Sequence, residues 1–204
     1  MSYSYLALGD SYTIGELVPI FDSFPYQAVQ LLRKKYNVEI LAPEIVAKTG
    51  WTTDELLSAI DTTKFLPSYD FVTLLIGVNN QYRGRSVENY KLEFEQLLQK
   101  AIRFAKGISK NVFVLSIPDW GATPFAEGKE ITQIATEIDS YNLACMQITL
   151  HHQCQYIEIT RSQRADGMDT VFLASDLLHP SGKEYAKWAE LFARILNEVI
   201  HDKA

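Results

Sequence analysis

Short unbroken apolar runs alternate along this chain with stretches in which apolar residues recur every three or four positions. The runs fall at residues 5–8, 38–41, 71–76, 112–117 and 156–159. Runs without alternation suit strands covered on both faces, as in a parallel sheet. Helical periodicity predicts a helix over residues 24–36 and a shorter one near 53–60, opened by the capping-box pattern Thr52-Thr53-Asp54-Glu55. After Ser86, one helical face carries Val87, Tyr90, Phe94, Leu97, Ala101 and Ala105, and another helix is predicted over about 131–151. The last starts at Ser181-Gly182-Lys183-Glu184, again patterned as a capping box, with Tyr185, Trp188, Ala189, Phe192, Leu196 and Val199 on one side. Five strands alternating with helices predict an α/β fold with a doubly wound parallel sheet and right-handed crossovers. No linker, repeat or low-complexity stretch interrupts the pattern, so residues 1–204 are expected to form a single domain.

The predicted strands hand over to polar loops: Gly9-Asp10-Ser11, Ala47-Lys48-Thr49-Gly50, Gly77-Val78-Asn79-Asn80 and Pro118-Asp119-Trp120-Gly121. In this architecture the carboxyl ends of the strands share one rim, where sites form. Gly9-Asp10-Ser11 then reads in two ways. It is either an ordinary turn of common turn residues or a device that presents a serine hydroxyl at the rim.

Composition narrows the field. With 204 residues, 47% of them hydrophobic, the chain can bury a full core. A net charge of -6, with Arg33-Lys34-Lys35 as the one short basic run, weighs against nucleic acid or an anionic membrane as partner. Two cysteines, Cys145 and Cys154, without a CxxC spacing, fit buried free thiols rather than a disulfide framework or zinc site. No metal or other cofactor is expected. The opening MSYSYLA has neither a basic n-region nor a long apolar h-region. A cytoplasmic location is therefore expected of the chain as written, or a periplasmic or secreted one if a signal was removed. No apolar run is long enough to span a bilayer.

A serine becomes a nucleophile only when a base takes its proton. Of the four histidines, His151-His152 fall at a predicted helix end, where solvation or capping suits them, and His201 lies in the tail. His179 precedes the last helix, three residues after Asp176. Within a tight turn that spacing lets the carboxylate reach the imidazole, fix its tautomer and stabilise the imidazolium. A turn-capping aspartate beside a helix-entry histidine fits the spacing equally well. Acyl transfer also needs donors for the developing oxyanion. Asn79 offers its amide, Gly50 a backbone N–H unobstructed by a Cβ, and Ser11 its own N–H; a turn pair at Asn79-Asn80 and a helix-entry role for Gly50 remain open. Neither GxSxG nor GxGxxG is present.

Gly9-Asp10-Ser11, Gly50, Gly77-x-Asn79 and Asp176-x-x-His179-Pro180 occur in the order and places found in the SGNH (GDSL-type) hydrolases, and the chain resembles that family over nearly its whole length. The resemblance implies a flavodoxin-like three-layer α/β/α sandwich with a five-stranded parallel sheet. It implies a serine esterase or lipase acting through an acyl-enzyme, without metal, on a small-molecule ester. Ser11 would be the nucleophile, His179 the base and Asp176 its orienting carboxylate. Ser11, Gly50 and Asn79 would form the oxyanion hole. Two positions depart from the family pattern: its leucine after Gly-Asp-Ser is Tyr12 here, and its aspartate after Asn79 is Asn80. Neither carries a bond-making step, so altered packing or specificity is expected rather than lost activity.

Within that family, lysophospholipids, thioesters and acetylated carbohydrates all serve as acyl donors. Asp10, Tyr12, Trp51, Asn80, Tyr82, Arg83, Arg85 and Trp120 are the residues expected around the substrate. Their aromatic faces with arginines nearby suit a polar alcohol or sugar leaving group, while rim packing and solvated charge are the plainer account. A catalytically silent ligand-binding protein on the same fold is the alternative function, and the intact Ser11, Asn79, Asp176 and His179 set argues against it. A flavin or nucleotide binder is disfavoured because GDSYTIGE lacks the Ser/Thr- and Gly-rich run that cradles phosphate.

Overall fold

The computed structural model describes residues 2–202. Strand β1 (Tyr5–Asp10) lies inside a five-stranded parallel sheet, flanked by β2 (Glu44–Lys48) and β3 (Phe71–Leu75), with β4 (Val112–Leu115) and β5 (Gln155–Ile157) beyond β3. Every residue of β1, β3 and β4 is buried, which is why these three read as unbroken apolar runs. The strand order β2-β1-β3-β4-β5 reverses between β1 and β3. The connections leaving these neighbours diverge there and open a crevice at their carboxyl ends.

Helix α2 (Phe24–Lys35) packs on α8 (Gly182–His201), and α8 sends Phe192 onto Tyr5 and Phe113 of the sheet, with centroids 5.4 and 5.1 Å apart. Across the sheet, α3 (Thr53–Thr62) packs on α5 (Val87–Phe104), and α5 on α6 (Ile131–His151). The result is the expected three-layer α/β/α sandwich. Three short helices complete it: α1 (Ser11–Ile14), α4 (Val78–Tyr82) and α7 (Thr160–Asp166). No helix among the described residues is long and apolar enough to cross a membrane.

Two local expectations are corrected. The second strand is not residues 38–41 but Glu44–Lys48, which runs beside β1 from Leu6↔Glu44 to Asp10↔Lys48. Residues 38–41 make only a single bridge, Tyr3↔Ile40. The true strand is an edge strand with half-buried residues, so it carries no unbroken apolar run. The capping box on α3 forms as the pattern requires: Glu55 Oε2 accepts from the Thr52 N–H at 2.9 Å. The one on α8 does not. Ser181 Oγ donates to the Val171 carbonyl, and the buried Glu184 carboxylate takes Ser162 Oγ at 2.7 Å and Trp188 Nε1 at 3.0 Å instead. Glu184 thereby ties α7 to α8.

Candidate active site

β1 ends in Asp10, whose Oδ1 accepts from the Tyr12 N–H at 3.1 Å and so caps α1. The cap turns the chain out of the sheet and leaves Ser11 at the crevice between β1 and β3. His179 comes to it from the opposite end of the chain, with Nε2 3.0 Å from Ser11 Oγ. The other ring nitrogen, Nδ1, lies 2.6 Å from Asp176 Oδ2. A carboxylate at Nδ1 assigns the proton to that nitrogen, so Nε2 is left to accept from the serine hydroxyl.

The turn that makes this possible is tightly specified. Asp176 Oδ1 accepts from the backbone N–H groups of Leu178 and His179 at 3.1 and 3.0 Å. Leu177, between Asp176 and Leu178, sits in the left-handed region at φ 58°, a conformation that costs a non-glycine residue about 1–2 kcal/mol. Burial works against ionisation of Asp176. The bonds from the His179 ring and from the His179 and Leu178 amides outweigh it and hold the carboxyl below its usual value. Asp176 is thus kept charged where an imidazolium would need it.

Two glycines shape the donor side. Gly77 turns β3 into α4 at φ 133°, and a Cβ there would stand 2.6 Å from the Tyr90 ring. That turn brings Asn79 to the crevice. Its Nδ2 donates to the Trp51 carbonyl at 2.9 Å and lies 3.5 Å from Asp10 Oδ2. Gly50, at φ 81°, follows β2 with no side chain in the way. Ser11, Gly50, Asn79 and His179 all line one cleft, of about 200 Å³. Its walls are apolar: Tyr12, Val78, Tyr82, Trp120, Phe125 and Leu178, with Thr49 at the edge. Trp120 is held rigidly, donating its Nε1–H to Gln81 Oε1 at 2.7 Å, with Tyr82 and Phe125 edge-on to its ring at 5.2 and 6.1 Å.

Of the residues expected around the substrate, Tyr12, Tyr82 and Trp120 line the cleft. The Tyr12 ring lies against His179, with centroids 5.1 Å apart, where the family pattern has a leucine. Burial, and then the Asp10, Asp176 and Asp119 carboxylates, push its phenol upward, so it stays neutral. The other five do not line the cleft. Asp10 is fully buried beneath it. Trp51 packs its ring on the core and offers only its carbonyl to Asn79. Asn80 is fully buried as well, gripping Thr53 through its N–H at 3.0 Å and its hydroxyl at 2.6 Å, which fixes the start of α3. Arg83 donates to the Gly50 carbonyl at 2.6 Å, and Arg85 turns away to Asp54 at 2.6 Å. His152 pairs with Glu95 at 2.8 Å, away from the cleft. Thr49, Val78, Phe125 and Leu178 escaped the sequence reading, although all four sit within or beside the loops it singled out. Among the described residues, no group of three or more His, Cys, Asp or Glu side chains could hold a metal ion.

A family model for GDSL-like lipases and acylhydrolases matches residues 7–187. The chain belongs to this family. As a GDSL-like enzyme it is a carboxylic ester hydrolase. A search of curated proteins finds no significant match. Solved structures share the fold. A lipase/acylhydrolase from Enterococcus faecalis superposes with a TM-score of 0.72 at 20% identity, covering 97% of this chain and 96% of that one. An acetylxylan esterase from Geobacillus stearothermophilus gives 0.74 at 18%, with 95% and 94% covered. A lipase from a goat rumen metagenome gives 0.77 at 18%, with 95% and 97% covered.

The buried Asp10 of this GDSL-like enzyme has a measurable consequence. Burial lifts its carboxyl to about 7, against the opposing bonds from the Tyr12 and Asp10 amides. Below about pH 4 the group is protonated in folded and unfolded chains alike. Between there and about pH 7 the unfolded chain ionises while the folded one keeps its proton, so stability falls as pH rises; above that the loss is complete. Asp10→Asn keeps an acceptor for Tyr12 and removes the charge. Its advantage over the natural protein is expected to grow by roughly 4 kcal/mol from pH 4 to pH 8, read from urea unfolding. Any altered contact with Asn79 is independent of pH and drops out of that difference. Parallel stability profiles in the two proteins would disprove the buried charge as the cause.

Proposed function

We propose that this hydrolase cleaves oxygen esters of short acyl groups by serine acyl transfer, without a metal. The observation that carries the reading is the unbroken chain Asp176–His179–Ser11, which opens into a small apolar cleft. Ser11 Oγ attacks the ester carbonyl carbon as its proton passes to His179 Nε2. The carbonyl oxygen becomes an oxyanion facing the N–H groups of Ser11 and Gly50 and the Asn79 amide. Collapse expels the alcohol, which takes the proton from His179, and leaves the acyl group on Ser11. Water, deprotonated by His179, then attacks the acyl-enzyme, and His179 returns that proton to Ser11 Oγ as the acid leaves.

The cleft supports a short acyl group. Its 200 Å³ is the room of about six or seven waters, walled by the fixed Trp120 and its aromatic neighbours. An acetylxylan esterase among the structures of this fold is in keeping with small acyl groups. The test is a series of p-nitrophenyl acetate, butanoate, hexanoate and dodecanoate, with and without EDTA. The expected result is a kcat/KM that peaks at acetate or butanoate, drops beyond hexanoate and ignores the chelator. A rise towards dodecanoate would overturn the short-acyl assignment; activity lost to EDTA and restored by zinc would overturn the metal-free one.

A further inference from the structure

Arg83 follows Asn79 by four residues and closes α4, donating its N–H to the Asn79 carbonyl at 3.1 Å. At that spacing two side chains share a helix face. Both reach the same short segment, residues 49–52, between β2 and α3. Asn79 Nδ2 holds the Trp51 carbonyl at 2.9 Å, and Arg83 Nη2 holds the Gly50 carbonyl at 2.6 Å. Arg83 Nη1 also meets Glu55 Oε1 at 3.3 Å, while Glu55 Oε2 caps α3 through Thr52. The guanidinium therefore bridges the carbonyl of Gly50 to the carboxylate that fixes where α3 begins.

Gly50 needs such a restraint. At φ 81° it has no side chain to anchor it, and, its chain neighbours aside, only Arg83 Nη2 among the described residues would come within 4 Å of a Cβ there, at 3.7 Å. The direction of its N–H then depends on what holds the neighbouring peptide, whose Trp51 N–H donates to the Lys48 carbonyl at 3.2 Å and whose Gly50 carbonyl takes Arg83. Donors aimed before charge develops stabilise a transition state far better than donors that must reorganise. Arg83 does not itself line the cleft, and its Nη1 and Nη2 both face partners of the protein's own.

We propose that Arg83 is a positioning residue for the oxyanion hole: gripping the Gly50 carbonyl, it keeps the Gly50 N–H aimed into the cleft. The inference rests on the serine acyl-transfer reading above. Both the acylation and the deacylation step pass through an oxyanion, so both slow together when the N–H drifts. Loss of the latch therefore lowers kcat, leaves KM in place and treats all esters alike. A substrate contact would instead shift KM, and differently for each ester.

The experiment compares Ser11→Ala, Asn79→Ala, Arg83→Met, Arg83→Lys and the double variant Asn79→Ala/Arg83→Met on the acetate, butanoate and hexanoate esters. Arg83→Met is expected to lower kcat about tenfold, less than the 10²–10³ of a donor removed outright, with KM within about twofold for each ester. Arg83→Lys is expected to recover part of the loss, since an ammonium can still donate to the carbonyl but lacks the planar fork that spans both acceptors. It also serves if Arg83→Met fails to fold. The double variant is expected to lose less than the product of the single losses, because both residues serve one hole. Unchanged kcat in folded Arg83→Met, beside an impaired Asn79→Ala, would overturn the latch and leave the acyl-transfer reading intact. Ester-dependent changes in KM would overturn it in favour of substrate contact. Full activity in Ser11→Ala would instead bring down the acyl-transfer reading, and the latch with it.

Discussion

Ser11→Ala is expected to lower ester turnover by about six powers of ten, the scale on which a serine nucleophile and its base act as a unit. His179→Ala is expected to cost as much. The hydroxyl is inert without an acceptor at 3.0 Å, and the imidazole has nothing to activate once the hydroxyl is gone. The double variant should therefore be scarcely worse than either single one. Asp176→Asn is expected to retain more, losing about 10⁴, because it disturbs the tautomer and charge at Nδ1 but leaves the proton acceptor in place. Single-turnover hydrolysis of p-nitrophenyl acetate measures all four, with circular dichroism to confirm the fold. Substantial turnover in Ser11→Ala would refute the nucleophile, as would an organophosphorus reagent that inactivates the enzyme by labelling another residue.

The second large effect belongs to Asn79. Asn79→Ala is expected to lower kcat by about 10²–10³, the range for a lost oxyanion donor. Two losses combine in that figure. The amide no longer faces the developing charge, and the Trp51 carbonyl loses its partner at 2.9 Å, which loosens the segment that carries Gly50. The fold itself is expected to survive, because Gly77 and the Asn80–Thr53 pair still set the course of α4 and α3. A folded Asn79→Ala protein with unaltered kcat would reduce Asn79 to a turn residue.

Much of this architecture was legible in the sequence because burial on both faces writes itself directly into composition. β1, β3 and β4 are buried throughout and mostly apolar, and the long helices carry a clear period. β2 was missed for the converse reason. An edge strand bounded by Glu44 and Lys48 has no need of an apolar run, and the stronger run nearby serves a single bridge. The α8 capping box failed because Ser162 of α7, together with Trp188 and Lys187 of α8 itself, takes the Glu184 carboxylate. At the site, the local spacing of Asp176 and His179 and the strand-end placement of Ser11 could be read from the letters alone. Asn80 could not: a polar residue beside Asn79 looks equally suited to substrate, and only the fold, which brings the start of α3 next to it, shows it turned inward to Thr53. Arg83 and Arg85 likewise look solvated or substrate-facing until their acceptors, Gly50 and Asp54, are placed in space.

The hydrogen bond between Ser11 and His179 joins residues 168 positions apart. A ribosome adding about 5–20 residues each second would therefore make Ser11 roughly 10–30 s before His179. For all of that interval Ser11 is an ordinary alcohol. On the acyl-transfer reading the chain is thus disarmed until residue 179 is added, and one cut short before Asp176 carries a serine with nothing to ignite it.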